Sequence, residues 1–186
     1  MLVSGVTTPA DPTDVKTISG TQPKSATPRL SVNRKVFVVH GHNHGMKETI
    51  ARFLAKLGLE PVILHEESDK GSTVIEKFEE HADVAFAIAL FSNDDLGASN
   101  LDIQKSSKEI GAVLNPRARQ NVVFECGYFI GRLGRTKVAI LHEDGVEMMS
   151  DYAGVVYVPF DTGDGWRLKL FKELKTTFDL DANKVF

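Results

Sequence analysis

From Lys35 onward the apolar residues fall into short continuous runs that alternate with stretches spaced at helical intervals. Val36-Phe37-Val38-Val39 is a β run ending in the polar segment His40-Gly41-His42-Asn43. The spacing of Met46, Ile50, Phe53, Leu54 and Leu57 predicts a helix over 46–57, with Gly58 as its stop. Residues 61–64 read as a second strand. A polar loop over 65–71 leads to a helix opened by a capping box, Thr73 with Glu76. Residues 84–91 are apolar throughout, the pattern of a central strand covered on both faces. A long polar connection over 92–119 follows, with weak helical character near 103–113. Asn115-Pro116 predicts an N-cap followed by proline in the first helical position, opening a helix that runs to Gly134. Residues 138–141 and 155–160 supply two more strands, and Trp166, Leu170, Leu174 and Phe178 mark a closing amphipathic helix. Five strands separated by helices predict an α/β fold: a flavodoxin-like, doubly wound, five-stranded parallel sheet in the order 2-1-3-4-5.

Residues 1–34 break this rhythm. They hold four of the seven prolines and ten Ser or Thr residues, with no sustained hydrophobic period. Such a composition buries too little apolar area to offset the entropy of ordering, so a flexible tail is expected there. The folded domain is then expected over 35–180, with 181–186 as a C-terminal tail.

On a helical wheel Val122, Val123, Cys126, Phe129, Ile130 and Leu133 share one apolar arc. Glu125 falls beside Phe129 on the margin of that arc. A carboxylate in that position is partly desolvated and its neighbours can direct it into a cleft; from the wheel alone the commoner case is an ordinary boundary Glu paired with an Arg such as Arg132. Phe124 and Tyr128 fall on the face opposite the core, and Gly127 and Gly131 suit close packing of that face. In an open parallel sheet ligands bind beyond the carboxyl ends of the strands, where the strand order reverses. That places the loops His40-Gly41-His42-Asn43 and Ser92-Asn93-Asp94-Asp95 at a crevice. Both are small and polar, suited to a nucleotide ribose or phosphate, and the helix after the first loop offers free N–H groups to an anion. Neither carries a dinucleotide fingerprint or a Walker order.

Composition narrows the classes. The net charge is −3 with Lys and Arg scattered, so no basic footprint points to nucleic acid or anionic lipid. The longest apolar run, 84–91, is too short to span a membrane, and the N-terminus carries no secretory pattern. The expectation is a cytoplasmic protein. One cysteine, Cys126, excludes an internal disulfide and a cysteine-built zinc site. Its place on the apolar arc reads as a buried inert thiol. His40, His42 and His44 alternate, yet Gly41 and Gly45 argue for a loop without a clear carboxylate partner, so no metal site is expected.

The stretches KVFVVHGHN, LGLEPVILHEESDKGSTVIEKFEEHADVAFAIAL, PRARQNVVFECGYFIGRLG and VVYVPFD together resemble the TIR domain, specifically the bacterial nucleotide-binding branch found as effectors in anti-phage defence. The resemblance runs from Lys35 to about Leu180. It implies the TIR fold and hydrolysis of NAD+ to nicotinamide and ADP-ribose, or a cyclic form of it. The family uses one glutamate on the helix after the third strand, which here is Glu125. His40, Gly41, His42, Asn43, Ser92 and Asn93 are then expected to bind substrate, together with Asn121. Asn121 stands four residues before Glu125, where eukaryotic relatives often carry an aromatic residue or Cys. NAD+ is substrate, so no cofactor is implied. Enzymatic relatives work as homo-oligomers in which the loop after the second strand, here about 66–72, packs on a neighbour. Their sensor is fused or is a separate protein. Two other classes share the pattern: a non-enzymatic TIR-like interaction module and a nucleoside deoxyribosyltransferase-like enzyme.

Overall fold

The computed structural model describes residues 33–64, 76, 80–81, 83–106, 109–150 and 154–185. Seven strands and four helices follow one another there: β1 Lys35–Val39, α1 His44–Lys56, β2 Glu60–Val62, β3 Phe86–Phe91, β4 Asp95–Gly97, α2 Asn100–Lys105, β5 Asn115–Arg117, α3 Gln120–Leu133, β6 Val138–His142, β7 Val156–Pro159 and α4 Gly165–Lys175. The main sheet is parallel in every pairing, in the order β2-β1-β3-β6-β7. Counted along this sheet alone, that is the expected 2-1-3-4-5 order of a flavodoxin-like TIR fold.

Period-two alternation explains why the central strands read as unbroken apolar runs. Val36, Val38, Phe86, Ile88, Leu90, Ala139 and Leu141 face one core, with α1 and α4. Phe37, Val39, Ala87, Ala89, Phe91, Val138 and Ile140 face the other, with α3. All six residues of β3 are buried. On the first face Phe53 of α1 meets Trp166 of α4 edge-on, with ring centroids 5.1 Å apart. On the second, Phe129 of α3 lies 4.4 Å from Phe37 of β1.

α1 starts where Asn43 caps it, its Oδ1 accepting from the Met46 N–H at 2.9 Å. It ends as expected at Gly58, whose φ of +76° allows a Schellman turn. In that turn Gly58 N donates to Ala55 O and Leu59 N to Leu54 O. Asn33 and Arg34, just before the expected domain boundary, bond to the domain: Asn33 Nδ2 to the Asp83 carbonyl and Arg34 Nε to the Gly58 carbonyl. At the other end Ala182–Lys184 forms a 3-10 turn and Val185 is buried in the first core.

Two expectations are corrected. Asn115-Pro116 does not open the helix. Asn115–Arg117 is β5, antiparallel to β4, and α3 begins at Gln120 with Arg119 at its N-cap. The connection over 92–119 thus carries a two-stranded sheet, with the short helix α2 and a 3-10 turn at Ile110–Ala112. Tyr128 does not lie on the open face with Phe124. It is half-buried against the second core, edge-on to Phe129 at 5.3 Å, while Phe124 is 57% exposed. Within the chain, a Cβ on Gly131 would meet nothing within 4 Å. Of the helix expected from Thr73, Glu76, Glu80 and His81 are described and helical. The loop over 66–72 lies outside the described residues.

Candidate functional site at the switch point

Strand order reverses between β1 and β3, and the loops that leave their carboxyl ends meet there. Gly41 is buried beneath the Asp94 side chain: a Cβ on Gly41 would stand 1.8 Å from Asp94 Oδ2. The backbone at Gly41 is not left-handed, so the need for glycine comes from this close approach and not from a dihedral angle. Asp94 ties the two loops together. Its Oδ1 accepts from the His42 N–H at 3.2 Å, and its Oδ2 accepts from the Ser92 hydroxyl at 3.0 Å. Ser92 is 1% exposed, so its hydroxyl depends on that acceptor.

A second carboxylate spans the same gap. Glu143, the residue after β6, accepts from Asn43 Nδ2 at 2.6 Å through one oxygen and from the Asn93 N–H at 2.8 Å through the other. The start of α3 joins from the side. Arg119 Nη1 lies 3.2 Å from His42 Nε2; the guanidinium can only donate, so that ring nitrogen is the acceptor. His40 Nδ1 donates to the Gly41 carbonyl at 2.9 Å within the same loop.

The geometry therefore brings together Gly41, His42, Asn43, Ser92 and Asn93. Glu125 is half-buried on the margin of α3, in the turn after Asn121, which is exposed. Val122, Cys126 and Phe129 form the buried ridge beside it, while Val123, Ile130 and Leu133 are only half-buried. Burial pushes the Cys126 thiol up to about 12, in keeping with the inert thiol expected. Sequence reading missed Asp94, Glu143 and Arg119 as the groups that hold the loops. A signal was present: two donor-rich loops at one crevice need acceptors, and a carboxylate stands within three residues of the ends of β3 and β6.

A cavity of 680 Å³ opens elsewhere, lined among others by Phe91, Arg117, Val123, Glu147, Met148 and Met149. None of the expected site residues lines it. It uses Gln120 and Val123 of α3, whereas Asn121 and Glu125 belong to the stripe on the helix's other side. Arg117 and Glu147 within it neutralise one another at 2.6 Å. Size alone does not make it the centre of the chemistry; the switch-point crevice has the convergent polar groups.

A doubly wound parallel sheet with a polar crevice at its switch point, flanked by a helix that carries a marginal carboxylate, is the layout of a TIR-type fold. Residues 35–162 match the family described as CAP12/Pycsar effector protein, TIR domain. The chain belongs to this family, the bacterial TIR domains of anti-phage defence effectors. It is 46% identical over 144 residues, 77% of its length, to the uncharacterized protein YuaY of Escherichia coli (strain K12). It is 36% identical over 133 residues to Protein tirC of Dictyostelium discoideum. Over a shorter stretch of 48 residues it is 56% identical to the Pycsar effector protein BcPycTIR of Burkholderia cepacia. The matched segments cover 45%, 64% and 16% of those proteins' own lengths.

Proposed function

We propose that this domain cleaves the nicotinamide–ribose bond of NAD+, with Glu125 as its essential carboxylate, as the effector part of a defence protein. The observation that carries the reading is the half-buried Glu125 on α3, the helix whose first residues reach the switch-point crevice through Arg119 and His42. Membership of the effector family supports it.

The chemistry asks little else of the protein. The C1′–N bond breaks with its electron pair passing to the pyridinium nitrogen, so nicotinamide leaves neutral and needs no general acid. The ribose left behind is oxocarbenium-like. A fixed carboxylate beside it stabilises that charge, and water adds at C1′ with loss of a proton. The paired carboxylates of ordinary glycosidases are not required. His42, Asn43 and Asn93 line the crevice for the dinucleotide, while buried Gly41 and Ser92 shape its wall through Asp94.

The test is nicotinamide release from NAD+ by concentrated protein, repeated with nucleosides. Glu125→Gln keeps the shape and removes the charge, so kcat is expected to fall on the order of 10²-fold or more, while NAD+ binding changes much less. A folded Glu125→Gln variant that cleaves at the parent rate refutes the assignment. A parent silent toward NAD+ but active on nucleosides points to the deoxyribosyltransferase class, and one silent toward both is an interaction module.

A further inference from the structure

One carboxylate at the crevice has no part in the chemistry above, yet faces both of its walls. Glu143 is anchored through its own N–H, which donates to the Phe91 carbonyl at the end of β3, 3.0 Å away. Its side chain then meets two donors, Asn43 Nδ2 and the Asn93 N–H. Neither can be reversed. Asn93 presents a backbone N–H, and the Asn43 amide is oriented by its other end, since Oδ1 is the acceptor that caps Met46. Position 143 therefore needs two acceptors at the reach of a glutamate. Gln offers one acceptor and one donor, and Asp is a methylene shorter.

From this we infer that Glu143 is a positioning residue. It sets the spacing between the loop after β1 and the loop after β3, and through that spacing the affinity for the nucleotide. The functional half of this inference rests on the NAD+ reading; the structural half does not.

The experiment combines Glu143→Gln with Asn43→Asp in a cycle of four proteins. In the parent, Glu143→Gln sets an amide donor against a donor. Exchange protection of the Asn93 amide hydrogen is expected to fall about tenfold or more, the loss of one bond to a charged acceptor. KM for NAD+ should rise by about tenfold, with kcat within about threefold. With Asn43→Asp already in place two carboxylates face each other, and Glu143→Gln then restores a donor–acceptor match while Met46 keeps its cap. In that background the same substitution should raise protection and lower KM. This reversal of sign is what a merely destabilising change cannot produce. Equal protection and KM in parent and Glu143→Gln, or effects of the same sign in both backgrounds, overturn the inference. If the parent releases no nicotinamide, the NAD+ reading fails by itself, and hydrogen exchange still decides whether Glu143 clasps the loops.

Discussion

Gly41→Ala is the sharpest probe of the crevice, because its cost follows from one close approach. The new Cβ would stand 1.8 Å from Asp94 Oδ2 and 2.8 Å from Asp94 Cγ. To regain van der Waals spacing the carboxylate must withdraw by roughly 1.5 Å or more. The backbone there suits an L-residue, so no dihedral strain is added. Withdrawal breaks both bonds made by Asp94, from the His42 N–H and from the Ser92 hydroxyl. Half-buried Asp94 can rehydrate, which keeps its own loss near the low end for charged hydrogen bonds. Ser92 is buried and cannot, so it bears the desolvation penalty of an orphaned hydroxyl, about 1–3 kcal/mol. The sum is about 2.5–4.5 kcal/mol, or a Tm lower by roughly 5–18 °C for a domain of this size. Urea unfolding measures it directly. In an Asp94→Ala background nothing remains for the Cβ to strike, and Gly41→Ala should cost less than about 0.5 kcal/mol. A cost below about 0.5 kcal/mol in the parent, or the same cost in both backgrounds, would refute the reasoning.

Two further expectations concern the core and the assembly. The Cys126 thiol is held at about 12 against an ordinary 9.0, so the unfolded chain ionises first as pH rises. Above 9.0 the unfolded state binds fewer protons than the fold, and stability falls by about 1.4 kcal/mol per pH unit until about 12. Cys126→Ala should flatten that slope, and an unchanged slope between about pH 8 and about pH 10 would count against it. Phe124 is exposed beside the candidate site's helix face, and if the active state is an assembly, nicotinamide release per protomer should rise with protein concentration. A specific activity flat from nanomolar to tens of micromolar would mean a competent monomer.

The five main strands were legible because each face of the sheet is covered, so burial is written as continuous apolar sequence. The β4–β5 pair was not. Asp95-Leu96-Gly97 and Asn115-Pro116-Arg117 contain glycine and proline, poor strand formers, and they pair across a long gap with only three residues each. The pairing also exploits a missing side chain, since a Cβ on Gly97 would collide with the Arg117 guanidinium. That contact misled the helix boundary: Asn-Pro is a good opening for a helix, but tertiary pairing claimed it. At the crevice the loops were legible from strand ends and glycine. Their fasteners were not, because Asn43 and Glu143 are 100 positions apart and nothing local to either one names the other.

The polarity of the sheet also decides where anything joined to this domain must attach. β1 begins at Lys35, directly after Arg34, which grips the Gly58 carbonyl beyond the C-terminal end of α1. Phe178, past the end of α4, lies tilted against Phe86, the first residue of β3, with ring centroids 6.4 Å apart. Arg34 and Phe178 thus both lie at the edge where strands start. The crevice lies at the edge where they finish, about 15 Å away across a five-residue strand. The chain therefore enters the domain at Arg34 on the side of the sheet opposite the crevice.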